Sequence, residues 1–345
     1  MIKQYRSIDL FKFICAVLII LLHTNPLDSY SELATVGIRQ VLTPIAVPCF
    51  FIISGFLFFE KINSLASAKE KNSYFKKYIN RLIVIYLFWS AVYFIFVLIK
   101  WNRKGFSKKD VLEYIKDFFF EGSYYTIWFL VALISAITIT FLLSKKLNSI
   151  KIFAISLFVY AITLLGTSYY GLSVKIPLLK TVFEAYYSFF DTMKNGLFFG
   201  FVFVSIGALI SANKEKIKTP TKKSIYLIAI FWLFLAIEQA FRIFIGDSKS
   251  VDTVIMLIPL CFLLCWGCIN LELKESPVYT ILRKYSMCMF LTQRIPLSII
   301  SLWFKGSVIA QNSLVHFTVV TFSTLAISFL LITLSKKIDF FKTIY

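Results

Sequence analysis

The chain has 345 residues, 59% hydrophobic and 16% charged, with a mean hydropathy of +0.78 and a formal net charge of +19. A soluble domain is roughly half apolar and about a quarter charged, so this composition excludes a soluble fold and implies a polytopic membrane protein. The positive charge does not imply nucleic acid, because no soluble basic segment carries it; it fits a positive-inside bias and attraction to membrane lipid.

Hydrophobic windows of about 17–25 residues predict about ten helices, near 8–25, 36–59, 79–100, 124–144, 152–168, 195–212, 224–244, 251–270, 285–303 and 313–334. The first carries Arg6, Asp9, Lys12 and His23 on or inside it. Ionisable groups in hydrocarbon are costly, so their default reading is functional. Lys12 and His23 are about three turns apart on one face, with a rise of roughly 16 Å. A cation near the inner end and an imidazole near the outer end suit the two ends of one long substrate. An imidazole there is also suited to taking a proton from a hydroxyl. The alternatives are a hydrogen-bonding packing role for His23, and Arg6 and Lys12 reaching to the headgroups. The basic start and apolar run resemble a signal peptide, but no small-residue cleavage site follows His23 and more spans do. Thr24-Asn25-Pro26 end the helix.

In the second segment, Pro44 and Pro48 predict a kink that frees backbone carbonyls. Ser54-Gly55 allow close helix approach, and packing is favoured over nucleophilic use of Ser54. Lys76, Lys77 and Arg81 open the third helix, either as a topology signal or as a clamp for phosphates at the membrane surface. In the connection 101–123, Ser107-Lys-Lys-Asp110 reads as a helix start. Val111, Leu112, Ile115, Phe118 and Phe119 then form the apolar face of a helix lying at the interface. The aromatic stretch 169–194 is either a re-entrant segment or lid, or a surface helix bordering the membrane. Glu238, Gln239 and Arg242 offer either a self-neutralising i,i+4 pair or the polar wall of an outer pocket. All six cysteines lie in apolar segments, which argues against a disulfide framework. Cys261, Cys265 and Cys268 share a helix face and read as packing; no metal is expected.

With the N-terminus placed inside, inner connections hold more than half of the 37 Lys and Arg, among them Lys3, Lys61, Lys145, Lys216, Lys218, Lys222, Lys223 and Lys336. Both termini are therefore expected in the cytoplasm. No repeat, low-complexity tract or soluble appendage is visible, so the chain reads as one all-α membrane domain, 1–345. An oligomer has no support in the sequence.

At these residues the chain resembles the membrane-bound acyltransferase family 3, the O-acyltransferases of bacterial glycans. Arg6-Ser-Ile-Asp9-Leu-Phe-Lys12, then ten residues, then His23, resembles the family's signature of a basic residue, ten residues and His. Phe50-Phe-Ile-Ile-Ser54-Gly55-Phe56, Tyr74-Phe-Lys-Lys77-Tyr-Ile-Asn-Arg81-Leu and Trp128-Phe129-Leu130 are similar to its second, third and fourth helix motifs. Lys194-Asn195-Gly196-Leu-Phe-Phe and Ser205-Ile-Gly207 are similar to later ones. The departures are Lys12 where Arg is common, Thr126 where many members carry His, and Gln293 where many end the ninth helix in His.

The resemblance implies about ten helices in the bacterial cytoplasmic membrane. It implies acyl-CoA, chiefly acetyl-CoA, as co-substrate with no bound cofactor, and a hydroxyl of an envelope or lipid-linked glycan as acceptor. It makes His23 the expected general base and Asp9 the residue that orients the basic cluster. Arg6, Lys12, Lys77 and Arg81 are expected to hold the CoA phosphates, and Trp128 to stack on a sugar or adenine. Lys194, Asn195, Glu238 and Arg242 are expected to line the acceptor side. The rival expectation is a transporter or exporter of a glycan or small solute, such as an amino acid, on the same fold. The absence of His at 126 and 293 leans towards it, and a kinked helix with intramembrane charges serves it equally well.

Overall fold

The structure, a computed structural model, describes residues 5–215 and 222–345, the side chains of 222 and 223 excepted. Of the inner charges above, Lys3, Lys216 and Lys218, and the side chains of Lys222 and Lys223, lie outside the described residues. About 80% of the chain is helical and no strand occurs among the described residues, as the all-α reading requires.

Helix α1 (Arg6–Thr24) stops where its sequence demands. Thr24 Oγ1 turns back to donate to the Ile20 carbonyl at 2.8 Å, and Asn25 takes the left-handed conformation at φ 44°, so Pro26 ends the run. Helix α2 (Glu32–Gly37) passes through a wide turn, Ile38–Leu42, and a tight one, Thr43–Ile45, into α3 (Ala46–Asn63). The helical run therefore changes its winding at the prolines from which a kink is expected. Pro44 sits in the tight turn, and Pro48 is the third residue of α3, where a missing N–H costs no helical bond.

Next come α4 (Ala68–Lys104) and α5 (Lys108–Phe120). The predicted start of α5 is a capping box: Ser107 Oγ accepts the Asp110 N–H at 3.3 Å, and Asp110 Oδ2 accepts the Ser107 N–H at 2.6 Å. Leu112, Ile115 and Phe119 on its apolar face stay exposed, as a helix against lipid requires.

The chain continues through α6 (Trp128–Ser144), α7 (Ser149–Gly166), α8 (Tyr170–Ser173), α9 (Pro177–Tyr187) and α10 (Phe201–Asn213), the last preceded by a wide turn, Gly196–Gly200. It closes with α11 (Lys222–Ile245), α12 (Leu257–Asn270), α13 (Val278–Thr292), α14 (Arg294–Trp303), α15 (Val308–Gln311), α16 (Ser313–Lys337) and α17 (Phe340–Thr343).

Eight stretches of the described residues are long and apolar enough to cross a membrane, against about ten expected from the sequence. The difference lies late in the chain. The segment expected at 251–270 keeps 14 helical residues, because the residues ahead of α12 are drawn into polar contacts. The segment expected at 285–303 breaks at Gln293, where Pro296 leaves the Thr292 carbonyl without its i+4 donor. Large apolar side chains remain exposed on α7, α11 and α16, among them Phe158, Phe234, Phe322 and Phe329. That much exposed apolar surface fits a hydrocarbon solvent and not water.

The described chain divides into two compact units. One holds Val47–Lys76 and Val131–Leu271. In it the backbones of α3 and α10 touch at Gly55 and Gly207: a Cβ on Gly55 would stand 2.6 Å from the Val204 carbonyl oxygen, and one on Gly207 only 2.2 Å from that of Ile52. The close approach expected at Ser54-Gly55 is thus present. Ser156 and Ser205 hydroxyls bridge α7 and α10 at 2.7 Å, and Phe75 stacks on Phe141 with centroids 4.4 Å apart.

The second unit holds the described part of Gln4–Ala46, with Lys77–Leu130 and Glu272–Tyr345. There α1 packs on α13 and α16. From α4, Tyr93 stacks on Tyr124 at 4.8 Å and donates to the Leu291 carbonyl, while Trp89 Nε1 donates to the Ile344 carbonyl at 2.9 Å. All six cysteines are thiols and five are buried, in keeping with a packing role.

Candidate functional site

The second unit gathers most of the ionisable residues singled out in the sequence. At the start of α1, Arg6 donates to the Leu273 carbonyl at 3.0 Å and pairs with Glu275. Asp9 is buried on the next turn. Lys12, half-buried, feels the charges of Asp9, Arg283 and Arg81. Arg81, on α4, is exposed and has one donor on the Tyr345 carbonyl at 3.0 Å. Lys77 is exposed one turn before it, at the i,i+4 spacing that puts both on one face. The result is a cluster richer in cations than in carboxylates, suited to oxyanions. Arg283 is the member the sequence reading missed. Its only signal in the sequence is a basic residue just ahead of the apolar segment expected at 285–303.

Helices α1 and α13 run side by side in the same direction. Arg6 stands level with 273–275 and Lys12 with Arg283. Carried on at this register, His23 comes level with the α13–α14 break at Gln293. His23 is half-buried in the last turn of α1. The chain beyond it is pinned to α16: Ser313 Oγ donates to the Pro26 carbonyl at 2.8 Å, and the Ser313 N–H bonds Ser29 Oγ at 3.0 Å. Gln293 and Thr126, the two positions where His is common in the resembled family, are both buried. Gln293 Oε1 and Thr126 Oγ1 have no hydrogen-bond partner. Trp128 opens α6, half-buried, and the chain folds tightly against it at Gly122, whose φ is +90°; a Cβ there would lie 2.4 Å from Trp128 Cα.

The other four candidates sit in the first unit, each with protein partners. Lys194 pairs with Asp252. Asn195 caps the turn before α10: its Oδ1 accepts the N–H groups of Leu197 at 3.1 Å and Phe198 at 3.0 Å, and its Nδ2 donates to Tyr186 Oη at 3.2 Å. Glu238 accepts the N–H groups of Ile255 at 2.6 Å and Met256 at 2.8 Å, and the Tyr169 hydroxyl at 2.5 Å. Arg242 donates to Gln239 Oε1 at 2.8 Å and Ser248 Oγ at 2.7 Å. Glu238 and Arg242 thus fasten the segment 246–256 ahead of α12. Burial, and then the hydrogen bond to Glu238, hold the Tyr169 phenol well above its ordinary pKa, so it stays a donor. Glu238→Ala would strand two N–H groups and a half-buried hydroxyl. It is expected to cost about 2–4 kcal/mol, read as a lower thermal midpoint of the full protein in detergent; an unchanged midpoint would show the strap to be held by other contacts.

Comparison with known proteins gives a family and a set of relatives. The family model for the acyltransferase domain of the acyltransferase 3 family matches residues 5–333. Two proteins of Enterococcus faecalis, each named amino-acid racemase, are 28% and 27% identical, covering 97% and 96% of this chain and 46% and 47% of their own length. A serine/alanine racemase of Enterococcus gallinarum is 25% identical over 98% of this chain and 47% of its own. The chain thus spans about half the length of these curated relatives. No solved structure matches. A match across nearly the whole length, on a helical scaffold that carries the basic-to-histidine array on its first helix, means that this chain belongs to the acyltransferase 3 family of integral membrane proteins.

Proposed function

We propose that the protein is an O-acyltransferase of the bacterial cytoplasmic membrane, with both termini inside. It moves an acyl group, most simply acetyl, from cytoplasmic acyl-CoA to a hydroxyl of an envelope or lipid-linked polysaccharide. The observation that carries this is the array on α1. Arg6 and Lys12, with Asp9, Arg81 and Arg283 acting on Lys12, stand at one end, and His23 at the other, roughly 16 Å further along the helix. The cluster supplies charge for the CoA phosphates, with Lys77 alongside, and the span suits a pantetheine arm. His23 takes the proton of the acceptor hydroxyl as its oxygen attacks the thioester carbonyl. The new C–O bond forms, the C–S bond breaks, and the proton passes to the CoA thiolate. Trp128 offers a stacking face, and Asp9 holds the cations in place.

The charge of Lys12 is expected to act on donor binding. Lys12→Gln should raise the KM for acyl-CoA about tenfold with a smaller change in kcat. Acyl transfer by the reconstituted protein checks this, and an unchanged KM would remove Lys12 from the donor site.

A second reading is favoured by one observation, the racemase names of the relatives. On it the same helices pass a small solute, such as an amino acid, across the membrane without acyl chemistry. Uptake of labelled serine and alanine into vesicles containing the protein, with acyl-CoA absent, separates the two. Saturable uptake that survives His23→Ala supports passage, whereas CoA release that needs both acceptor and His23 supports acyl transfer.

A further inference from the structure

The second unit carries another set of cations, at the opposite end of α4 from Arg81. Lys100 is 19 residues beyond Arg81, about 28 Å along the helix. Its ammonium lies 4.9 Å from the Tyr125 ring centroid and 5.3 Å from that of Tyr124. The Arg294 guanidinium lies 4.3 Å from the same Tyr125 ring centroid, and that of Arg103 lies 5.2 Å from the Trp303 ring centroid. Arg103 also donates to the Leu302 carbonyl, and Tyr124 is fixed by a 2.8 Å bond between its hydroxyl and that of Ser298. Among the described residues none of these three cations forms an ion pair with a carboxylate. They are held by ring faces, which position a cation without cancelling its charge.

Two further observations mark the cluster as a place for a ligand. The Tyr125 and Trp303 residues remain exposed beside their cations, 58% and 50% accessible. Thr126 Oγ1 and Gln293 Oε1, next in sequence to Tyr125 and Arg294, are buried atoms with no hydrogen-bond partner. A buried polar atom left unpaired is costly, so each calls for a partner that the polypeptide does not supply. The α1–α13 register puts this end of α13 level with His23.

We propose that the cluster binds an acidic saccharide, the carboxylate resting on Lys100, Arg103 and Arg294, a pyranose ring lying on Tyr125 or Trp303, and sugar hydroxyls reaching Gln293 and Thr126. This rests on the acyl-transfer reading and narrows it, because the acceptor would be an anionic glycan. Charge selects such a ligand by attraction, and the aromatic faces take the apolar C–H side of the ring.

The test uses the full chain in phosphatidylcholine nanodiscs. Calorimetric titration compares a tetrasaccharide containing glucuronic acid with its carboxyl-reduced counterpart. The acidic sugar is expected to bind at least tenfold more tightly, and the preference to shrink as salt rises. Lys100→Gln with Arg103→Gln, both at accessible positions, should abolish the preference, and Arg103→Lys should keep most of it. Equal affinity for the two sugars would overturn the proposal. So would phosphatidylglycerol in the nanodisc that displaces the acidic sugar from wild type alone, since the cluster would then be a headgroup site. Acyl-CoA binding and CoA release, measured on the same samples, keep the two ideas apart. Acyl transfer with no acidic preference removes only the saccharide assignment, and acidic preference without CoA release removes only acyl transfer.

Discussion

His23→Ala is expected to lower acyl transfer by about 10²–10⁴-fold while acyl-CoA binding stays within about twofold of wild type. The two effects separate because the parts are far apart on α1: the cations lie at its start and the imidazole in its last turn. The side chain is half-buried, and the turn is closed by Asn25 and the Ser313 bond to Pro26, so loss of the ring leaves the helix end intact. The measurement is mass spectrometry of envelope polysaccharide from cells lacking the gene, complemented with wild type or His23→Ala at equal membrane abundance. An acyl mass present only with wild type supports the general base and identifies the acceptor. Identical acylation in both strains would end the proposal for His23, and a change only in the location of a solute would favour the transport reading.

Gly207→Ala is expected to be the most damaging of the small substitutions, costing about 3 kcal/mol. The added Cβ would meet the Ile52 carbonyl oxygen at 2.2 Å and the Phe56 nitrogen at 2.5 Å, both backbone atoms of a helix that cannot swing aside as a side chain would. Helix α10 would have to withdraw from α3, and with it the Ser156–Ser205 bridge and the edge-on contact of Phe51 with Phe199 at 6.1 Å would loosen. Without a hydrophobic drive between helices in lipid, such close contact is a main source of cohesion. Gly267→Ala is the internal control. Nothing stands within 4 Å of a Cβ there, and the residue lies inside α12, so stability should rise by about 0.5–1 kcal/mol. Thermal unfolding of both variants in one detergent checks the pair; equal midpoints would show that α3 and α10 do not depend on this contact.

Much of the second unit was legible in the sequence because its signals are local. A run of apolar residues ended by Thr24-Asn25-Pro26 can only be a helix that stops there, and Ser107 with Asp110 marks a helix start through bonds three residues apart. Lys12 and His23 share a face by helical period alone. Glu238 was harder. Its i,i+4 spacing to Arg242 allowed a pair, but its carboxylate meets the N–H groups of Ile255 and Met256, 17 and 18 residues away, because a loop had to be fastened ahead of α12. The ninth apolar segment looked continuous, since hydropathy does not register the hydrogen bond that Pro296 removes.

By itself, then, the sequence determined that this is an all-helical membrane protein of the acyltransferase 3 family, and which residues on its first helix are chemically conspicuous. Composition and period suffice for the membrane helices, because hydrocarbon admits few charges and backbone groups must pair within each helix, whereas the family rests on the motifs of the first four helices. Tertiary structure alone decided that Arg283 joins Lys12, and that Lys100 and Arg294 share the Tyr125 ring while Arg103 lies on Trp303. Arg283 is 271 residues from Lys12, and Arg294 is 194 and 191 residues from Lys100 and Arg103, separations no local pattern records, so only the packing of the helices brings these groups together.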